Sequence, residues 1–155
     1  MSAPQVISPD QFLEHWQGHR RLTRRVIEAF PEDQLWSYSV GSMRPFRALV
    51  MEMLMIGAPM LKGIVTGEWV GSAVEGQPTK AELLAHWDDD TATLDAFFPQ
   101  IPIERFQEHQ VAFGQYPGSV YYLLLYGIDN EIHHRAQGYV YLRALGVEPP
   151  PFFER

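Results

Sequence analysis

Cysteine is absent from this chain. That excludes a disulfide framework and a thiolate metal site, so any metal must be held by nitrogen and oxygen donors. Cations are scarce, with 12 Lys and Arg against 19 Asp and Glu, a net charge of −7 and a pI near 5.3. A phosphate binder needs clustered positive charge to displace counterions, so nucleic acid is not an expected partner. The one basic run, His19, Arg20, Arg21, Arg24 and Arg25, reads as the solvated face of an amphipathic helix. No stretch of 18 apolar residues is free of charge, so no membrane association is expected. The opening MSAPQVISPDQF has neither a basic n-region nor an apolar h-region. The expectation is a cytoplasmic protein. There is no glycine-rich phosphate loop, and Ser72 and Ser119 lack a patterned His and Asp, so no nucleophile constellation stands out.

What is present suits one helical domain over residues 1–155, long enough to bury roughly two-thirds of its unfolded surface. Ser8, Pro9 and Gln11 form a helix start, with Ser8 as cap, Pro9 at the first helical position and Gln11 reaching back. That helix runs to about Phe30, burying Phe12, Trp16, Leu22, Val26 and Ile27. His15 and His19, four apart, are a weak ligand pair and sit more naturally on its polar flank. A loop follows in which Leu35 and Trp36 plug the bundle end. Pro45 opens a second helix, stopped by Gly67, whose centre is apolar nearly all round and is therefore the most buried of the set. Met51, Met53, Met55 and Met60 read as gap-filling core residues, and Pro59 should kink or locally open the helix at its middle. Thr79 and Glu82 form a second capping box, starting a third helix that reaches about Phe98. Asp88, Asp89 and Asp90 point in three directions from it and read as solvated. The stretch after it, with Ile101, Ile103 and Phe106 alternating, suits short extended pieces or a hairpin. Pro117, Gly118 and Ser119 cap a long fourth helix closed by Gly146. In the tail VEPPPFFER, Phe152 and Phe153 need somewhere to pack, on this subunit or a second one.

Two features stand out against this background. Glu52 is a carboxylate in the apolar second helix, where it must be paired, protonated or bound to a cation, and Arg135 or Arg47 would serve as partner. In the fourth helix Asn130, His134 and Gly138 line up at spacing four, with Gln137 beside them and His133 and Arg135 on a solvated edge. Burying an unpaired imidazole or amide costs about 1–3 kcal/mol. A core histidine satisfied by hydrogen bonds and a ligand to something bound both meet that demand.

The segment NEIHHRAQGYVYLRALGVEPPPFFE resembles the last helix of the DinB/YfiT-like family of metal-dependent enzymes, which typically reads H-E-x-H-H-R-G-Q before an apolar stretch, L-R, a Gly and a Pro-rich tail. AFPEDQLWSYSVGSMRPFRALVMEML is similar to the family's Trp-bearing loop and the helix that follows, and TGEW is similar as well. The resemblance implies an all-α four-helix bundle of up-down-down-up connection with long crossover loops, a homodimer, and one divalent metal held by three histidines inside the bundle. Carried over by position, those histidines fall on Glu52, Asn130 and His134, so only one keeps the family's residue. A Glu52, Asn130 and His134 set is a harder donor set than three imidazoles, shifting preference from Zn²⁺ or Ni²⁺ toward Mg²⁺ or Mn²⁺. The resemblance thus implies a metal-dependent hydrolase or thiol S-transferase acting on a small molecule through an altered site. The alternative is a metal-free relative in which Glu52 accepts from His134 and Asn130, acting as a dimeric module or as a binding module. Its pocket would be walled by the second helix's methionines with Trp36, Tyr121, Tyr122 and Tyr126.

Overall fold

The computed structural model describes residues 5–155; Met1–Pro4, the start of the stretch read for a leader, lie outside the described residues. The chain is mostly helical. Helix α1 spans Pro9–Ala29, the short α2 spans Gln34–Ser37, α3 spans Phe46–Thr66, α4 spans Lys80–Phe97 and α5 spans Val120–Ala144. Two 3₁₀ turns and an antiparallel hairpin, β1 (His109–Ala112) and β2 (Tyr116–Ser119), join α4 to α5.

The helix ends follow from local chemistry. Both capping boxes form, Ser8 with Gln11 and Thr79 with Glu82. Ser119 accepts from the Tyr122 amide at the start of α5. Gly67 ends α3 with φ of 79°, a left-handed conformation that costs other residues steric strain. Pro45 stands at the cap, one position before the first helical residue of α3, and Pro59 lies inside the helix. The loop after α1 winds into α2, with Leu35 buried and Trp36 half-buried. The hairpin expected in the stretch after α4 forms, but from His109 on: of the alternating apolar residues, Ile103 and Phe106 lie in the second 3₁₀ turn and Ile101 just after the first. Proline at 99 and 102 removes amide donors there, which explains why pairing starts only at His109.

Helix α3 packs against α4 and α5, and α1 packs against the same two. The order of side-chain pairs gives relative directions. Gln17 meets Asp95 while Arg24 meets Asp88, so α1 and α4 run oppositely. Met60 reaches Gly127 and Phe46 reaches Gly138, so α3 and α5 also run oppositely. Two apolar clusters fill the interior, one around Trp16, Leu61, Phe98 and Leu124, the other around Phe30, Phe46, Leu54, Trp87 and Tyr141. Helix α3 has the length and hydropathy of a membrane span, yet 61% of that window is buried within the protein, as a core helix requires. Met55 is the exception among its methionines in facing largely outward.

One expectation fails at the surface. The flank of α1 that carries His19 and Arg20 is not solvated: both are buried, because α1 is covered by α4 on one side and α5 on the other. Phe152 and Phe153 meet edge to face and stay exposed, so of their two expected packing places this subunit is not the one used.

Candidate functional site

Helices α3 and α5 bring Glu52, Asn130 and His134 together. The Asn130 amide donates to Glu52 Oε1 over 3.2 Å, and His134 Nε2 lies 2.9 Å from the same oxygen. On its other side His134 Nδ1 lies 2.9 Å from Gln137 Oε1, one turn further along α5. Gly138 makes this contact possible. A Cβ there would fall 2.5 Å from the Phe46 ring, so only glycine lets the first turn of α3 press against α5.

The partner of Glu52 is neither Arg135 nor Arg47 but Arg44, whose guanidinium donates to Oε2 over 2.6 Å. Arg47 instead lies over the Trp36 ring and donates to the Gly76 carbonyl. Arg44 comes from the loop between α2 and α3, and its own carbonyl accepts from the Tyr141 hydroxyl of α5 over 2.8 Å. Nothing in the sequence marks it apart from its position before Pro45, because its approach depends on the path of that loop. Glu52 is not fully buried: its side chain is 30% exposed, against 8% for His134 and 53% for Arg44. Burial pushes its carboxyl up, but the Arg44, His134 and Asn130 contacts outweigh that and hold it down at about 2. Glu52 is therefore an anion whose two oxygens already take three donors.

Those contacts decide how the residues fit the metal implied by the family resemblance. A divalent ion would need the oxygens that Arg44, His134 and Asn130 now engage, and would meet a guanidinium's positive charge on the same carboxylate. The Asn130 amide turns its nitrogen, not its oxygen, to Glu52, and Oδ1 is buried without a partner. Arranged in this way, the three residues do not fit a metal. Among the described residues no group of three His, Cys, Asp or Glu side chains is placed to hold one.

The expected ligand pocket is not walled as the sequence suggested. Tyr121, Tyr122 and Tyr126 are exposed on α5, and Trp36 lies under Arg47. A cleft of about 460 Å³ opens elsewhere, lined by Ile7, Gln11, Phe12, His15, Leu125 and Ile128. Another of about 340 Å³ lies between the linker before α4 and the first turns of that helix, at Glu75, Glu82 and His86.

A second polar network, missed by the sequence reading, lies on the adjacent face of α5, turned toward α1. Glu131 accepts from Thr23 over 2.6 Å and is flanked by Arg20 at 3.8 Å and Arg135 at 4.0 Å. Arg135, expected at a solvated edge, is buried and donates to the His19 carbonyl and ring. Burial, with Arg135 and Arg155 adding to it, drives the His19 imidazole down to about 3. His15 and His19 do approach, with their Nε2 atoms 3.3 Å apart, but arginines face both ring nitrogens of His19 and oppose a cation.

Residues 75–155 match the model of the DinB family. That span carries α4, the hairpin and α5, and with them Asn130 and His134, but not Glu52. The fold is similar to the crystal structure of a DinB-like protein from Bacillus subtilis, with a TM-score of 0.76 and 21% identity, over 94% of this chain and 99% of that one. It is likewise similar to a DinB-like protein from Bacillus cereus, with a TM-score of 0.76 and 16% identity, over 93% and 97% of the two chains. No curated protein matches the sequence.

Proposed function

Because the chain belongs to the DinB family, we propose that it is a metal-free, non-catalytic member whose interior site is closed by hydrogen bonds and which works as a dimeric module. In this reading the four long helices form the family's bundle in up-down-down-up order, which the side-chain pairs between α1 and α4 and between α3 and α5 support. One observation carries the functional part: both oxygens of Glu52 are engaged, by Arg44 at 2.6 Å, His134 at 2.9 Å and Asn130 at 3.2 Å. With the carboxylate engaged and His134 held on both ring nitrogens, the groups there that could accept a proton from a substrate or act as a strong metal ligand are taken, and only the weak, neutral Asn130 amide oxygen is without a partner. The exposed row Tyr121, Tyr122, Leu125 and Tyr126 on α5 supports the dimeric role, since large amphipathic side chains in one row suit a protein contact.

Elemental analysis of purified protein, with calorimetric titration of Mn²⁺, Zn²⁺ and Ni²⁺, tests the first half. No stoichiometric metal and no binding heat are expected, and a tightly bound equivalent would overturn the reading. Sedimentation at micromolar concentration tests the second half, where a dimer is expected and a monomer would remove the dimeric role.

A second reading has one observation in its favour. The orphaned, buried Asn130 Oδ1 sits beside Glu52 and His134, so a metal-dependent hydrolase or thiol transferase built on Glu52, Asn130 and His134 becomes chemically sensible once Arg44 leaves. Carboxylate oxygen, amide oxygen and one ring nitrogen would suit Mn²⁺ or Mg²⁺ better than Zn²⁺ or Ni²⁺.

A further inference from the structure

Arg44 separates these two readings, and its position explains how. Its backbone is fixed on both sides: Pro45 follows it with φ of −56°, and its carbonyl is tied to Tyr141 on α5. The next residue, Phe46, is buried, stacks on Phe30 and fills the hollow at Gly138, so the start of α3 cannot slide along α5. From this fixed base the Arg44 side chain lies along the first two turns of α3 to Glu52, eight residues on. The side chain itself is more than half exposed, so it is free to leave without disturbing the core.

We infer that Arg44 is the cation of this site, supplied by the chain itself: its guanidinium holds the face of the Glu52 carboxylate that a divalent metal would need, and so keeps the interior closed to metal. This rests on the metal-free reading above. The charges support it. Asn130 and His134 both meet a single carboxylate, and Arg44 brings the permanent positive charge that balances it. A divalent ion added to the intact cluster would face the guanidinium across a few ångströms, which a partly buried site screens poorly. Without Arg44 the Glu52 Oε2 is free, and Asn130 needs only to turn its amide to offer the oxygen that now lacks a partner.

The test compares wild type with Arg44→Ala, using Mn²⁺ alone as probe because the donors are mainly oxygen. Binding is read by calorimetry and by the rise in melting temperature with added Mn²⁺, and circular dichroism checks the fold. Wild type is expected to show neither signal. Arg44→Ala is expected to bind one equivalent, with affinity higher by roughly tenfold or more once the like charge is gone, and its melting temperature is expected to rise with Mn²⁺. Adding Glu52→Gln to that variant should abolish both signals. If neither wild type nor Arg44→Ala binds, the role given to Arg44 is wrong while the metal-free reading stands. If wild type binds as tightly as Arg44→Ala, both are overturned. If Arg44→Ala binds and Glu52→Gln leaves that binding intact, the metal sits elsewhere and the inference fails.

Discussion

The Arg20 guanidinium carbon lies 3.4 Å from the centroid of the Trp87 ring, so a charged side chain from α1 is stacked on an indole of α4 inside the bundle. The same arginine donates to the Trp87 carbonyl and the Thr91 hydroxyl, and faces Glu131 of α5 at 3.8 Å. Three helices are thereby fixed in register by one side chain. Removing one partner of a buried ion pair typically costs about 3–5 kcal/mol. Arg20→Met is expected at the low end of that range, because Arg135 remains near Glu131 and burial already pushes the Glu131 carboxyl up toward neutrality. Urea unfolding of Arg20→Met, Glu131→Gln and the double variant checks this. The double variant should lose less than the sum of the singles by about 1–3 kcal/mol, the mark of two groups in contact. Additive losses would show that the two charges do not interact.

The contact between Gly138 and Phe46 supports the candidate site from below. Gly138→Ala forces a methyl to within 2.5 Å of the ring where it now stands, and overpacking of this kind costs about 1–3 kcal/mol. A smaller side chain opposite should relieve it, so Phe46→Leu is expected to recover part of the stability lost by Gly138→Ala although it is destabilising alone. Chemical denaturation midpoints of the two singles and the double give the answer. Strictly additive midpoints would mean that the ring moves aside without cost.

Much of this was legible in the sequence, for physical reasons that differ by element. The two capping boxes and the Gly67 stop depend on residues within a few positions of each other, so their chemistry is visible locally. Glu52 was visible as a charge out of place, and Asn130 with His134 as a polar stripe on an apolar helix; the family register placed all three at one point, where the fold does bring them. Arg44 was not visible, because a loop's path decides which arginine arrives at Glu52, and Arg47, nearer in sequence, is turned to Trp36. The burial of Arg20, His19 and Arg135 was misread because periodicity identifies one apolar stripe, whereas α1 lies between α4 and α5, and α5 between α1 and α3, so that each has two covered sides. Polar residues on a second covered side look the same in sequence as residues facing water.

The tail offers a control for that distinction. Phe152 and Phe153 are 67% and 69% exposed and meet each other edge to face. Replacing both with Ser should change the stability of the monomer by no more than about 0.5 kcal/mol, as for surface positions generally. Denaturant unfolding at low protein concentration measures it. A larger loss that grows with protein concentration would instead assign the two rings to a contact between copies.

Asp90 gives a prediction whose sign depends on pH. The sequence placed it with Asp88 and Asp89 on a solvated face, and Asp88 does pair with Arg24 at the surface. Asp90 is turned inward, with Oδ2 buried and unpartnered. Burial raises its carboxyl from 3.8 to about 6, against the opposing pull of Arg20, Lys62 and His86. A group whose pKa is higher in the folded state contributes stability below its unfolded value, and that contribution is lost as pH rises through the folded value. Wild type should therefore carry a penalty above pH 6 that is absent below pH 3.8, on the order of 2–3 kcal/mol for a shift of this size. Asp90→Asn removes the ionisation while keeping the size of the side chain. Its stability relative to wild type should rise between pH 4 and pH 6 and level off by about pH 7, with a gain of roughly 2 kcal/mol over its value at low pH. The amide has its own burial cost, but that cost is the same at every pH, so the change with pH isolates the carboxyl. Urea unfolding of both proteins across that range, at constant ionic strength, is the measurement. A difference that stays flat with pH would place Asp90 in contact with water.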